Sequence, residues 1–186
     1  TSAKVNAQVT TNSGSGLAPT YTSLALAVTA LNAATITSPV VITLTGNETA
    51  PAGTGYYITA TGTAVNTIII QGSGSTITAG ANTASGNIDA IFKIIGGDYI
   101  TIQNFTLVEN TVSNTVSTTG ATNTMTEAGI LLIHASATDG AQNNTIQNNI
   151  ISLLNTTANP VYANTVGILS TSSSTTTNAS PEASKS

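Results

Sequence analysis

Along most of the chain, aliphatic and β-branched residues alternate with Thr, Gln and Asn in short bursts set off by Gly, Asn and Ser. Strict alternation over a handful of residues marks a half-buried strand, apolar on one face and polar on the other. The runs are Val40–Thr45, Tyr56–Thr59, Thr67–Ile70, Ser75–Thr78, Ile91–Ile95, Tyr99–Val108, Ile130–Ile133, Thr145–Leu153 and Val166–Leu169. One segment breaks this period. Leu24, Ala27, Val28 and Leu31 recur at i, i+3, i+4 and i+7, which predicts a helix over about Ser23–Ala34 with Thr22 or Ser23 as its N-cap. Ahead of it, the alternating Val5–Val9 and the Gly/Ser loop Asn12–Gly16 predict a strand or extended arm over residues 1–20.

Many short strands with turn signals mean a sandwich, a barrel or a solenoid. Repeats favour the last. Thr101-Ile102-Gln103-Asn104 returns 44 residues later as Thr145-Ile146-Gln147-Asn148, and Ile69-Ile70-Gln71-Gly72 precedes it at an offset of 32. A repeat of about 20 residues or more with variable corner loops is the spacing of a coiled β architecture. The longer interval then reads as one coil carrying a long loop, Asn110–Thr126, or as two coils. Hairpin turns of the Asn-Gly or Asp-Gly kind are confined to Asp139-Gly140, so strands are expected to be joined by corners. Asn after a strand suits such a corner because it tolerates a left-handed backbone.

The run Gly97-Asp98-Tyr99-Ile100-Thr101-Ile102-Gln103-Asn104-Phe105-Thr106-Leu107 resembles a coil of right-handed β-helix proteins of the pectin-lyase-like type. Asn143-Asn144-Thr145-Ile146-Gln147-Asn148-Asn149-Ile150-Ile151 resembles the coil that follows it, and Tyr21 through Ala33 resembles the helix that caps the first. Together they are similar to β-helix modules of large secreted and surface proteins of Bacteroidota, many of them exported by the type IX system. The resemblance implies an all-β, right-handed parallel β-helix with an N-terminal capping helix over residues 21–169, followed by a Ser/Thr-rich tail over 170–186. It implies little about activity. The sorting domain that usually ends such proteins has no counterpart in the sequence.

Composition narrows the function. Charged residues make up 5% of the chain, against about 25% in an ordinary globular domain. There is no Arg, and the cations are Lys4, Lys93 and Lys185, with a net charge of −4. Nucleic acid and anionic membrane surfaces both require clustered cations, so neither is an expected partner. The absence of Cys removes disulfides and thiolate metal sites. No run reaches the ~20 apolar residues of a membrane span, so membrane insertion is not expected. The chain opens Thr1-Ser2-Ala3-Lys4 without a secretory h-region, which fits a processed form or a fragment. A polar, nearly uncharged surface suggests an extracellular or cell-surface location, with O-linked sugars on the Ser/Thr-rich segments. Asn47, Asn104, Asn143, Asn155 and Asn178 also begin N-linked sequons, which arise readily in such a composition.

Candidate chemistry is sparse. Carbohydrate-cleaving β-helix enzymes need clustered carboxylates. Here Glu48, Asp89, Asp98, Glu109, Glu127, Asp139 and Glu182 are all far apart in sequence. His134 is the only histidine, and a triad with Asp139 and a Ser has no nucleophile-elbow motif behind it. Gly72-Ser73-Gly74 and Gly96-Gly97 read as corners rather than phosphate loops. No cofactor is expected, although backbone carbonyls beside an Asp leave room for a structural calcium. The expected function is therefore a non-enzymatic structural or adhesive module. It would associate head-to-tail into a filament, or with further domains of a longer chain, through Val5 and Val9 at one end and Val166, Ile168 and Leu169 at the other. The first alternative is a glycan-binding or glycan-active domain using Tyr56, Tyr57, Tyr99 and Tyr162. The second is an ice-binding face built from Thr43/Thr45, Thr59/Thr61 and Thr76/Thr78.

Overall fold

The computed structural model describes residues 8–83, 88–116, 123–154 and 165–172. In chain order it contains β1 (Val9–Thr11), β2 (Thr20–Tyr21), α1 (Leu24–Ala33), β3 (Val40–Leu44), β4 (Glu48–Thr49), β5 (Tyr56–Ile58), β6 (Ile68–Gly72), β7 (Thr76–Thr78) and β8 (Ala90–Ile95). There follow β9 (Ile100–Gln103), β10 (Thr106–Val108), β11 (Ala128–Ile133), β12 (Thr145–Gln147), β13 (Ile150–Ser152) and β14 (Val166–Thr171).

These strands form three sheets, ordered β12-β9-β6-β3-β1-β2, β13-β10-β7-β4 and β14-β11-β8-β5. The expectation of an all-β, parallel β-helix is overturned by this sheet composition. The largest sheet has six strands and is mixed, because β1 runs antiparallel to both β3 and β2. With two four-stranded parallel sheets and one α-helix among the described residues, the chain forms a mixed-sheet domain. The cause lies in residues 8–21. The turn at Gly14–Gly16, with Ser13 and Ser15 at positive φ, reverses the chain so that β1 and β2 add to the edge of β3. Alternating polarity specifies the faces of a strand and says nothing about its direction.

From β3 onward the chain visits the three sheets in turn. We call each set of three consecutive strands a tier: β3–β5, β6–β8, β9–β11 and β12–β14. Like positions stack. Ile42, Ile70 and Ile102 are paired in register and fully buried, as are Ile77 and Leu107. The repeat at an offset of 44 is one such register, Thr145 on Thr101 and Gln147 on Gln103, so the interval spans a single tier with its long loop. Each expected long strand breaks at an Asn. Asn104 (φ 62°) separates β9 from β10, and Asn148 (φ 54°) separates β12 from β13. The neighbouring Asn149 accepts from Phe105 N (3.0 Å) and donates to Ile102 O (2.9 Å), bridging tiers through its amide. Within the core, Phe92 stacks between Tyr56 and Phe105, with ring centroids 5.1 and 5.4 Å apart.

Helix α1 closes the first tier. Leu24, Ala27, Val28 and Leu31 are buried, and Ser23 caps the N-terminus by accepting from Leu26 N. Both carboxylate oxygens of Glu48 accept from Leu24 N, at 3.1 and 2.9 Å. A carboxylate there complements the helix dipole. Burial raises the Glu48 pKa, opposed by the backbone hydrogen bonds from Leu24 and Ala25 and by Tyr56. Glu48→Ala is expected to lower unfolding free energy by about 1–2 kcal/mol, measured by urea titration, because α1 loses its link to β4.

Candidate functional site

Two regions stand out: the exposed end formed by the last tier, and a buried carboxylate corner. At the end, β12, β13 and β14 are the last strands of their sheets, with no strand beyond them among the described residues. Core positions follow the register into this tier and lose their cover. Ile102, Leu107 and Ile130 are fully buried, whereas their partners Ile146 and Ile151 are half-buried and Ile168 is 46% exposed. Gly129 makes room for Ile151, since a Cβ there would lie 2.6 Å from its side chain. Ile150, on the outer face, is 66% exposed. A polar ladder runs to the same edge. Gln71 donates to Thr43 Oγ1 (3.0 Å), Gln103 to Gln71 Oε1 (2.8 Å), and Gln147 to Gln103 Oε1 (2.6 Å). Strand edges are ordinarily guarded by charge. No Asp, Glu, Lys or Arg lies between Asp139 and Glu182.

Beside this end is a cleft of about 310 Å³ lined by Leu132, His134, Thr138, Gly140, Gln142 and Ser170 among others. Asp139 bonds through its backbone to Ala135 and Ser136, and no hydrogen bond joins it to His134 among the described residues. The triad geometry considered from sequence is not assembled.

The carboxylate corner escaped sequence reasoning. Asp89 precedes β8, Glu127 precedes β11, and Ala90 pairs with Ala128, so the register sets the two acids side by side. Asp89 N donates to a Glu127 carboxylate oxygen, while Glu127 N and Ala128 N donate to Asp89 O. Burial pushes the Asp89 carboxyl up to about 6, with Lys93 opposing and Glu109 adding to the rise. Glu127 is raised to about 7, again chiefly by burial, while Lys93 is lowered by desolvation. Glu109, 8% exposed, accepts from Asn110 N, Asn114 Nδ2, Thr126 N and Thr126 Oγ1. Those bonds tie both ends of the loop after β10 to the corner. A carboxylate held by four donors, three of them on Oε1, anchors the loop. Among the described residues no group of three or more His, Asp or Glu is arranged to hold a metal ion. The paired Asp89-Ala90 and Glu127-Ala128 dipeptides were the available signal.

The remaining sequence candidates are scattered. Tyr56 is 1% exposed and packs on Phe92, which corrects its assignment as a glycan contact. Its hydroxyl is buried beside Glu48, without a hydrogen bond that meets full geometry among the described residues. Tyr57 is 49% exposed on β5, and Tyr99 is half-buried ahead of β9 at φ 54°, so these two belong to different sheets. Val9 is corrected too: it is fully buried between β2 and β3 and offers no free edge. Val166 and Leu169 are half-buried on β14 beside exposed Ile168. Val5 and Tyr162 lie outside the described residues. The three Thr pairs sit on or next to three different sheets, so they share no flat face. β14 runs to Thr171, two residues into the segment expected as a tail, and residues 173–186 of that segment lie outside the described residues.

Comparison with known protein families, curated proteins and solved structures returned no match.

Proposed function

We propose that the chain is a non-enzymatic extracellular structural or adhesive module that works by joining other protein through its last tier. The observation that carries this reading is the partly exposed last tier, beyond which no strand lies among the described residues. Among the described residues the three sheets stop at β12–β14 with Ile146, Ile151 and Ile168 partly in water, and positions 140–181 of the sequence carry no charge. Leaving apolar side chains and strand edges bare costs free energy and invites pairing, so such an end is best explained as one that is covered in use. The scarcity of charge favours close contact, since little repulsion opposes it. The polar, uncharged surface favours an extracellular setting.

Light scattering across a concentration series, with negative-stain microscopy of the same samples, tests the proposal. The chain is expected to associate as concentration rises. Ile168→Lys and Ile151→Lys, each placing an ammonium in the contact, are expected to weaken association roughly a hundred-fold, or about 3 kcal/mol. Melting temperature should change little for Ile168→Lys, because this residue is already half in water. A chain that stays monomeric at every concentration, or that cleaves polysaccharide, would overturn the reading.

A further inference from the structure

We infer that the outer face of the first sheet is a binding surface for a neutral, hydroxyl-rich glycan, laid along the chained amides of Gln71 and Gln103 beside the aliphatic side chains of Val41 and Ile69. The inference is independent of association through the last tier. Its centre is β6 and β9, each with a neighbouring strand on both sides.

Alternation along β3, β6 and β9 buries one side chain and turns the next outward, and the strand registers align the outward residues in rows. One row is Thr43, Gln71, Gln103 and Gln147, extended by exposed Thr10 on β1, which pairs with Thr43. Its amides are chained: Gln147 donates to Gln103, Gln103 to Gln71, and Gln71 to Thr43 Oγ1. A side-chain amide has two donor hydrogens and two acceptor positions. Each link uses one donor of one residue and one acceptor position of the next, so Gln71 and Gln103 each keep one N–H and one acceptor position for a ligand. In the adjacent row the hydroxyl of Thr101 makes no hydrogen bond among the described residues.

These groups are held in place before any ligand arrives. An unrestrained glutamine loses up to about 2 kcal/mol of rotamer freedom when it is fixed, and the chain of amides has already fixed Gln71 and Gln103. The rungs repeat at about 4.8 Å, so the four from Thr43 to Gln147 span about 14 Å. A ligand that uses them must offer donors and acceptors repeatedly along its length, as the hydroxyls of a sugar polymer do. The adjacent row runs Val41, Ile69 and Thr101, whose side-chain carbons suit the C–H face of a sugar ring. An apolar protein surface fits less well, because it would bury the spare amide groups without partners. Charge decides the class of glycan. No outward residue of β3, β6, β9 or β12 is ionisable, and Lys93, the one lysine among the described residues, is on β8 in another sheet. A uronate or sulfated glycan would find no counter-ion on this face, and a neutral glycan needs none.

Retention of the full chain on microcrystalline cellulose and on starch granules, with affinity electrophoresis in xylan and in galactomannan, probes four neutral glycans. Polygalacturonate is the charged counterpart. At least one neutral glycan is expected to retain the chain, and polygalacturonate is expected not to. Gln103→Leu breaks the amide chain at its centre. Thr101→Val removes one hydroxyl and keeps the branched shape that suits a strand, which guards against a folding defect at Gln103. Each is expected to weaken retention about ten-fold with little change in melting temperature. Tyr57→Ala, half-exposed on β5 in another sheet, is expected to leave retention unchanged. A loss for Tyr57→Ala as large as for the other two, or full retention by both Gln103→Leu and Thr101→Val, would place the site elsewhere and overturn the inference. So would a folded chain that none of the four neutral glycans retains, or one that polygalacturonate retains equally well. A chain that is monomeric at every concentration and still retained would end the association reading and leave this one standing.

Discussion

Phe92→Ala should be the most damaging single truncation in the chain, lowering the free energy of unfolding by about 3–5 kcal/mol. Phe92 is fully buried and central to the ring stack Tyr56–Phe92–Phe105, so its loss leaves both neighbours without a face to pack on. The three rings come from β5, β8 and the corner after β9, and therefore join the first three tiers. The surroundings can relax little. Polar groups at the corners are locked by amides such as Asn149, and the strands on each side are held in parallel register. For a domain of this size the loss corresponds to a fall in melting temperature on the order of 10 °C. Phe92→Leu keeps most of the volume and should cost less than half as much. Ile168→Ala is the internal comparison: it removes a similar side chain from the partly exposed last tier and should cost under about 1 kcal/mol. Equal effects at the two positions, in urea titrations of both variants, would mean that the ring stack is not the centre of the core.

Much of this packing is legible in the sequence because stacked tiers write their register as repeats. Ile70-Gln71, Ile102-Gln103 and Ile146-Gln147 are neighbours in space for the same reason that they look alike: identical positions meet identical environments. The helix was equally legible, since Leu24, Ala27, Val28 and Leu31 must share one face to be buried together. Strand direction was not. Val9 alternates as any half-buried strand does, and nothing local records that it pairs antiparallel with Leu44. That single pairing changes the class of the largest sheet. The carboxylate corner was hidden for a different reason. Asp89, Glu109 and Glu127 are distant in sequence and converge only once β8 and β11 are in register across the intervening loop. The last tier was half legible: exposed apolar side chains at Val166–Leu169 were anticipated, but the contact of α1 with the first tier depends on Asn32 reaching Tyr57 and Thr59.

The corner makes stability depend on pH in the direction opposite to ordinary acid denaturation. Asp89 and Glu127 have folded-state pKa values of about 6 and about 7, above the values near 4 of an unfolded chain, and burial is the first cause of both. A carboxyl whose pKa is raised by folding binds its proton more tightly in the native state. Its contribution to stability is complete below the unfolded value and is lost as pH rises through the folded one. Lys93 offsets part of this, because its ammonium is attracted by both acids, while Glu109 beside Asp89 adds repulsion. The melting temperature should therefore fall between pH 5 and pH 8, by an amount equivalent to a few kcal/mol in total. Glu127→Gln keeps an acceptor for Asp89 N and cannot ionise, so it should flatten the profile and raise stability at pH 8 relative to the parent chain. Asp89→Asn should do the same over a range about one pH unit lower. The check is calorimetry of the parent and both variants at intervals from pH 4.5 to pH 8. A parent whose melting temperature rises over that range would show that the two acids are ionised without penalty, and that Lys93 and the surrounding N–H groups outweigh their burial.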